Sequence, residues 1–289
     1  MAENPASNRS NRLIAVKRLL GYTLKAALVV CMLVVGLLPL GWALSTSLKT
    51  PVDISAVPPQ VIPANPTLGN YGRLLSDHIT TFSTNSLTYT GTAILASVSF
   101  GGLLAYALAR FRFRGRGALV VLLILTLVTP YMAILVPLLF IFSKAHLADT
   151  RFALPLVYTA QTIPFAAWFL KGYLEMIPSE MEKAAMVDGY SRFGAIRRIL
   201  LPLAMPGFVT AAVFAALTAW NDYISATFLL TSTKLQTLPV AMLYYLGTHG
   251  REWGPLTAAA VLTVVPILVL FIVFRKYFLG GLLSGAIKG

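Results

Sequence analysis

Apolar residues occur in six long runs that are separated by short polar segments. The runs cover approximately residues 26–48, 82–109, 117–143, 152–174, 205–232 and 255–274. A helix needs about 20 mostly apolar residues to cross the hydrocarbon of a membrane, and each run is long enough. Four runs contain no charged residue or histidine; Lys171 near the end of the fourth and Asp222 in the fifth are the exceptions. The pattern predicts an all-α integral membrane protein with six transmembrane helices.

The composition agrees with a chain that lies mostly in lipid. Of the 289 residues, 57% are hydrophobic and 11% are charged, and the mean hydropathy is +0.76. A soluble domain has about 25% charged residues, so this chain has too few charges to cover a water-facing surface. Its one cysteine, Cys31, lies inside the first apolar run, which excludes an intrachain disulfide.

The net charge of +13 would suit a nucleic-acid-binding protein, but the positions of the basic residues favour another explanation. If the N-terminus is cytoplasmic, 17 of the 23 basic residues lie in cytoplasmic segments: Arg9, Arg12, Lys17, Arg18, Lys25, Arg110, Arg112, Arg114, Arg116, Lys171, Lys183, Arg192, Arg197, Arg198, Arg275, Lys276 and Lys288. The outer loops hold the other six: Lys49, Arg73, Lys144, Arg151, Lys234 and Arg251. Basic residues concentrate in cytoplasmic loops. We therefore expect both termini in the cytoplasm of a cell (inner or plasma) membrane, with the basic residues facing lipid headgroups and not nucleic acid.

Three segments follow from these boundaries. Residues 1–25 are predicted to be a cytoplasmic N-terminal tail, residues 26–278 the six-helix transmembrane domain, and residues 279–289 a cytoplasmic C-terminal tail. Residues 1–12 are polar and show no periodicity, so no regular structure is expected there. The first apolar run is longer than the core of a signal peptide, about 7–15 residues, and is predicted to stay as the first membrane helix.

The sequence lacks the residue patterns of energy-coupling and catalytic chemistry. It contains no G-x-x-x-x-G-K-[ST] phosphate loop, so the chain is not expected to hold ATP in that way. The histidines, His78, His146 and His249, are far apart in predicted outer loops, and no carboxylate cluster suggests a metal site or a nucleophile–base pair. An energised transporter that lacks such patterns would have to take its energy from a partner.

The cytoplasmic segment between the fourth and fifth runs, about residues 178–202, has the strongest local signals. Ser179 is predicted to cap a short helix, and Glu182, three residues later, completes a capping box. The helix should end near Asp188, with Gly189 in a left-handed conformation after it. Ser191 can cap a second short helix, which is expected to stop before the proline that ends the segment.

One face of the first short helix is predicted to be apolar. Met181, Ala184 and Ala185 recur at helical spacing, and their small or flexible side chains would let another surface approach the backbone. The alternative is a helix that lies on the membrane surface and acts only as a linker. Its basic residues would then touch lipid headgroups: Arg192, Arg197 and Arg198.

At this segment the sequence resembles the EAA loop of ABC importer permeases. The pattern E-x-A-A-x-x-x-G-x9-I-x-L-P is formed by Glu182, Ala184, Ala185, Gly189, Ile199, Leu201 and Pro202. Lys183 departs from the pattern, because it stands where the family name expects Glu. Trp220-Asn221-Asp222 is similar to the W-N-[DE] motif of the carbohydrate group, and the ending Gly280–Gly289 is similar to its G-L-x-x-G-x-x-K-G terminus. The chain as a whole resembles the smaller permease subunit of maltose-type importers.

The resemblance implies the type I ABC importer permease fold, with a helix–Gly–helix coupling loop in the cytoplasm. It implies a second permease subunit, ATPase subunits, an extracytoplasmic solute-binding protein and a sugar substrate. ATP and Mg would be bound by the partner ATPase, and this chain would hold no cofactor and catalyse no reaction. The implied ATPase-coupling residues are Glu182, Ala184, Ala185, Asp188, Gly189, Arg192, Ile199, Leu201 and Pro202.

Other interpretations remain open from the sequence. Asn221 and Asp222 are candidate residues of the translocation pathway; alternatively, Asp222 reaches the outer headgroups or bonds to a neighbouring helix. The same architecture could import glycerol phosphate or another polar solute, but the spans hold no excess of Arg and Lys to attract an anion. A self-sufficient channel or a membrane enzyme would need pore-lining repeats or an intramembrane catalytic pair, and the sequence has neither.

Overall fold

The chain folds into helices joined by short connections. The computed structural model describes the backbone of residues 5–247 and 252–286 and the side chains of residues 21–247 and 252–277, and over these ranges it contains no β-strand. The helices are α1 Pro5–Ser47, α2 Pro51–Ile54, α3 Gly69–Ser76, α4 Ile79–Arg110, α5 Arg116–Val128, α6 Tyr131–Lys144, α7 Ala153–Glu175, α8 Ser179–Val187, α9 Arg192–Trp220, α10 Ile224–Leu229, α11 Leu238–Ala241 and α12 Trp253–Ala286. The predicted all-α class is confirmed.

The third predicted span is broken. Five helices of the described chain are long and apolar enough to cross a membrane, and a sixth span results if α5 and α6 are counted together. These two helices are bent by 98° instead of forming one helix over residues 117–143. The break lies at Thr129 and Pro130, both extended, because a proline forces the residue before it out of the helical conformation.

The fifth span begins earlier and ends earlier than the run of residues 205–232 predicts. The expected stop before Pro202 is wrong, because α9 continues through this proline after a π-helical turn over Ile196–Leu200. Such local adjustments of the hydrogen-bonding pattern let membrane helices tolerate proline. At the other end, α9 stops at Trp220, so Asp222 lies beyond the helix and not inside it.

Both predicted tails contain helical backbone. Helix α1 begins at Pro5, so the prediction that residues 1–12 lack regular structure is wrong from that residue onward. Extending an existing helix is much easier than nucleating one, so the long apolar helix can propagate into the polar segment. At the other end, α12 continues to Ala286, within the predicted tail of residues 279–289, and residues 287–289 lie outside the described chain.

The structure consists of two compact units. One contains Met1–Tyr71 and Trp253–Val261, and the other contains Gly72–Glu252 and Leu262–Gly289. In the second unit α7 is the central helix and packs against α4, α5 and α9. Close approach depends on small residues: a Cβ at Gly101 would lie 2.7 Å from the Cβ of Ala166. Small residues at helix contacts are typical of membrane helix packing.

A carboxylate links the connection between α6 and α7 to the segment that follows α10. The side chain of Asp149, between α6 and α7, accepts hydrogen bonds from the backbone N–H groups of Thr231 and Ser232, at 3.0 and 2.8 Å, and from the Ser232 hydroxyl at 2.6 Å. The Ser232 hydroxyl, followed by the Ser232 backbone, holds the pKa of Asp149 below its usual value. The ionised carboxylate therefore stabilises this connection, which weakens as the pH falls through that lowered pKa.

Candidate functional site

Helix α8 begins one residue earlier than the sequence predicts. Pro178 is the extended residue before the helix, and Ser179 is the first helical residue. Its hydroxyl donates to the Glu180 carboxylate at 3.1 Å and caps no backbone group. The Glu180 pKa is below its ordinary value because its own backbone N–H, and then the Ser179 hydroxyl, donate to the carboxylate. The predicted capping box is wrong, because Glu182 turns inward.

Glu182 forms a buried ion pair with the end of α4. Its side chain is 8% exposed and that of Arg110 is 11% exposed, and Arg110 Nε lies 2.5 Å from Glu182 Oε1. The Tyr106 hydroxyl donates to Glu182 Oε2 at 3.1 Å. The Arg110 guanidinium also donates from Nη2 to the Ile177 carbonyl at 2.9 Å. Helix α8 and the backbone that precedes it are therefore both attached to α4 through one arginine.

The predicted apolar face of α8 is divided between the interior and the surface. Ala185 is buried, with 3% of its surface exposed, and lies on the same side as Glu182. Met181 and Ala184 are exposed, and Val187 on the last turn is 87% exposed. One side of the helix thus holds it to the transmembrane helices, and the opposite side leaves an apolar surface uncovered by the described chain.

The turn after α8 has the predicted conformation. Asp188 is the C-cap residue, and Gly189 has a φ of +92°, in the left-handed region that favours glycine. The N–H groups of Gly189 and Tyr190 donate to the carbonyls of Met186 and Ala185 at 3.2 and 3.1 Å. A Cβ at Gly189 would meet nothing within 4 Å, so the conformation alone, and not crowding, requires glycine here.

The second helix of the loop starts as predicted. Ser191 caps α9, and its hydroxyl accepts a hydrogen bond from the Gly194 N–H at 3.1 Å. The Arg192 guanidinium lies 5.1 Å from the centre of the Phe111 ring, so it contacts the protein itself. Further along α9, Ile199 and Leu201 are half-buried and Pro202 is exposed.

A charged cavity of about 560 Å³ lies between α8 and the C-terminal end of α4. Its lining includes five basic and three acidic side chains: Arg110, Arg112, Arg116, Lys183 and Arg192, with Glu175, Glu180 and Glu182. Arg116 Nη2 lies 2.8 Å from Glu175 Oε1, and Lys171 Nζ lies 2.8 Å from Glu175 Oε2. The start of α5 is thereby fixed to the end of α7.

Comparison with known proteins identifies the family of this chain. Residues 97–280 match the family model described as "Binding-protein-dependent transport system inner membrane component". The chain belongs to this family. It is a permease subunit of an ABC importer, it is not catalytic, and the ATPase of such an importer is a separate subunit. The family name also places the permease in the inner membrane.

Curated relatives align with nearly the whole permease. The sulfoquinovosyl glycerol transport system permease protein SmoH of Agrobacterium fabrum is 35% identical over 89% of this chain and 91% of its own. The trehalose transport system permease protein SugB of Mycobacterium tuberculosis is 34% identical over 89% and 95%. The trehalose/maltose transport system permease protein MalG of Thermococcus litoralis is 30% identical over 90% and 94%.

A solved structure has the same fold. It is the crystal structure of a bacterial ABC transporter involved in the import of the acidic polysaccharide alginate. One of its chains superposes with a TM-score of 0.75 at 23% identity, covering 93% of the permease and 98% of that chain. The predicted type I permease fold is therefore confirmed.

The candidate pathway residues of the permease lie at the other end of α9. Asn221 donates from its side chain to the Leu217 carbonyl of its own helix at 2.9 Å. Asp222 accepts from the buried Tyr158 hydroxyl on α7 at 3.0 Å and from the Ser225 N–H at 3.3 Å. Asp222 therefore makes the bond to a neighbouring helix that was one of its predicted alternatives. Its role in translocation stays a prediction.

Sequence reasoning missed the partners of Glu182 in the permease. The charge pattern gives Arg110 only a part in orienting the protein in the membrane, and no local motif includes Tyr106. The available signal was the alternation Arg110, Arg112, Arg114 and Arg116 directly after an apolar run, which places several basic side chains beside an acidic loop.

Among the described residues, no group of three His, Cys, Asp or Glu residues could hold a metal ion.

Proposed function

We propose that the permease forms half of the translocation pathway for a sugar and that α8 couples it to a cytoplasmic ATPase, which binds ATP and Mg. The second permease subunit would supply the other half of the pathway, and an extracytoplasmic binding protein would deliver the solute. The names of the relatives support a sugar, since sulfoquinovosyl glycerol, trehalose and maltose all contain glycosyl groups. The predicted spans hold no basic residues in their middle, which disfavours the doubly charged phosphate of glycerol phosphate.

The observation that carries the coupling role is the two-sided helix α8. Its outer side presents Met181, Ala184 and Val187, a small apolar surface that suits insertion into a cleft of a partner protein. Its inner side is held by the buried pair of Glu182 and Arg110. A displacement of the outer side must therefore reach α4 through this pair and reach α9 through the turn that follows α8.

This arrangement supports transport by rigid-body movement. When the ATPase subunits close on ATP, α8 would move with them, and its two attachments would shift the cytoplasmic ends of α4 and α9 together. Rocking of a packed bundle between outward-facing and inward-facing states is a common transport mechanism. The residues proposed to take part are Glu182, Ala184, Ala185, Asp188, Gly189, Arg192, Ile199, Leu201 and Pro202.

Cysteine cross-linking tests this proposal directly. In a Cys31→Ala background, Ala184→Cys should cross-link to a cysteine in the cleft of the co-expressed ATPase, because Ala184 is on the exposed side of α8. Ala185→Cys is the matched control, since the neighbouring residue is only 3% exposed and should cross-link poorly. Equal cross-linking at both positions, or none at Ala184, would contradict the coupling role of this face.

The orientation of the permease is part of the proposal and has its own test. The distribution of basic residues supports a cytoplasmic position for both termini and for α8. In the Cys31→Ala background, an impermeant maleimide applied to intact cells should label Thr233→Cys in an outer loop and should not label Ser191→Cys. Both positions are exposed, so access to reagent depends on the side of the membrane. Labelling of Ser191→Cys from outside would show that the proposed topology is wrong.

A further inference from the structure

The unit formed by Met1–Tyr71 and Trp253–Val261 contains a second cavity, of about 330 Å³. It lies at the end of α1, beside the short helix α2 and the start of α12. The side chains that give it chemical character are Trp42, Thr46, Lys49, Asp53, Gln60 and Trp253. Two of the four tryptophans of the chain are therefore in this one cavity. None of these residues has a part in the coupling site.

Three oxygen atoms around this cavity are buried without a partner in the described protein. They are Thr46 Oγ1, Asp53 Oδ2 and Gln60 Oε1. Thr46 as a whole is only 6% exposed. Buried polar atoms in folded proteins nearly always have a hydrogen-bond partner, and one left without a partner destabilises the fold. Three such atoms in one place indicate that something outside the chain supplies the partners. Since a carboxylate and an amide oxygen accept hydrogen bonds, that molecule must carry several donors.

The lysine of the cavity is held in place. Lys49 is 2% exposed, and its ammonium group donates to the backbone carbonyl of Gln60. The same ammonium nitrogen lies 4.6 Å from the centre of the Trp42 ring. Trp42 and Trp253 are 42% and 45% exposed, so each indole keeps accessible surface. Apolar ring faces next to hydrogen-bond acceptors suit a molecule with an apolar C–H face and hydroxyl groups at its rim.

The backbone around the cavity is fixed by one amide side chain. Asn70 donates from Nδ2 to the carbonyls of Ser47 and Lys49, at 2.9 Å each. Gly254 lets α12 approach this amide, because a Cβ there would clash with Asn70 Oδ1. The backbone next to Thr46 is thus positioned before any ligand arrives, which lowers the conformational cost of binding.

We propose that this cavity binds a pyranose ring, with the tryptophans against its C–H face and Thr46, Asp53 and Gln60 bonded to its hydroxyl groups. The volume of about 330 Å³ is near the lower end of ligand pockets and suits a small saccharide. This proposal rests on the proposed function, because the topology given there places the cavity at the outer side of the membrane. On that side the pyranose would come from the solute to be imported or from a glycolipid headgroup.

Equilibrium binding to the intact transporter tests this site. The permease with its partner subunits is placed in nanodiscs of phosphatidylethanolamine, and binding of trehalose, maltose and diacetylchitobiose is measured without the binding protein. At least one sugar should bind, and Asp53→Asn should weaken that binding about tenfold or more, because a hydrogen bond to a charged group is lost. Trp42→Ala should weaken it too, whereas Trp168→Ala, which removes a tryptophan of 44% exposure outside this cavity, should not.

A second variant separates ligand binding from structural support. Thr46→Val removes an unpartnered hydroxyl at nearly constant volume, so the thermal stability of the sugar-free transporter should stay the same or rise while sugar binding weakens. Nanodiscs that contain monogalactosyl diacylglycerol test whether the pyranose comes from a glycolipid headgroup. Binding of this glycolipid, weakened by the same substitutions, would assign the site to a lipid headgroup.

The proposed pyranose site is wrong if no probe binds to the transporter. It is also wrong if binding of the probe is unaffected by Asp53→Asn, Thr46→Val and Trp42→Ala. ATPase co-purification and ATP-driven uptake are measured on the same preparations. If these remain normal while the cavity takes no probe, the pyranose site fails and the proposed function does not.

Discussion

Replacing Arg110 with alanine should uncouple transport from ATP hydrolysis. The substitution leaves the Glu182 carboxylate buried with only the Tyr106 hydroxyl as partner, and it removes the bond to the Ile177 carbonyl. Breaking a buried ion pair by removing one partner costs about 3–5 kcal/mol. Helix α8 should therefore detach from α4, and uptake should be lost even though the six spans keep their hydrophobicity. ATP-driven uptake and ATPase co-purification, at matched abundance in the membrane, measure the effect.

Two further variants make this expectation specific to the buried pair. Lys183→Ala breaks the neighbouring pair with Glu180, whose side chains are 67% and 74% exposed and 3.7 Å apart, and should change uptake little. Arg110→Met combined with Glu182→Leu replaces the buried charges by apolar groups and should restore part of the activity lost in Arg110→Ala. Normal uptake by Arg110→Ala, or equal losses in Arg110→Ala and Lys183→Ala, would contradict the role of the pair.

Replacing Gly189 with valine should abolish uptake while the protein still inserts into the membrane. Valine at a φ of +92° costs roughly 1–2 kcal/mol in backbone strain, and its Cβ meets no neighbour that could offset or add to this cost. The strain should change the direction in which α9 leaves α8, so the two short helices no longer fit one partner. Asparagine tolerates this conformation better and should retain more activity.

Gly172 provides the matched control for this substitution. It lies within α7, a Cβ there would also meet nothing within 4 Å, and it is not among the residues with a positive φ. Gly172→Ala should therefore leave uptake and ATPase co-purification unchanged. A similar loss in both variants would mean that any added side chain disturbs the bundle, and the conformation of the turn would not be the cause.

Local sequence signals predicted the features that depend on neighbouring residues. The apolar runs predicted the spans because a segment that crosses lipid must have apolar side chains. Such a segment must also satisfy its own backbone hydrogen bonds, which a helix does. Gly189 and Ser191 were predicted correctly, since the conformation after a helix and the cap before one are set within a few residues.

Features that depend on distant contacts were not predictable in this way. The capping box at Ser179 and Glu182 fitted the local pattern, but the carboxylate pairs with Arg110, 72 residues earlier in the chain. A buried arginine outcompetes a helix cap, because a carboxylate left unpaired in the interior is far more costly. The interruption at Pro130 and the end of α9 at Trp220 leave hydrophobicity unchanged, so the apolar pattern runs across both.

The most direct test of the account is ATP-driven sugar uptake by reconstituted transporters that carry either the natural chain or Gly189→Val. Trehalose, maltose and diacetylchitobiose are the labelled probes, and both transporters are compared at equal permease content. The account predicts ATP-dependent uptake of at least one sugar by the natural transporter, and loss of that uptake together with ATPase docking in Gly189→Val. Full transport and normal ATPase association by Gly189→Val would contradict it.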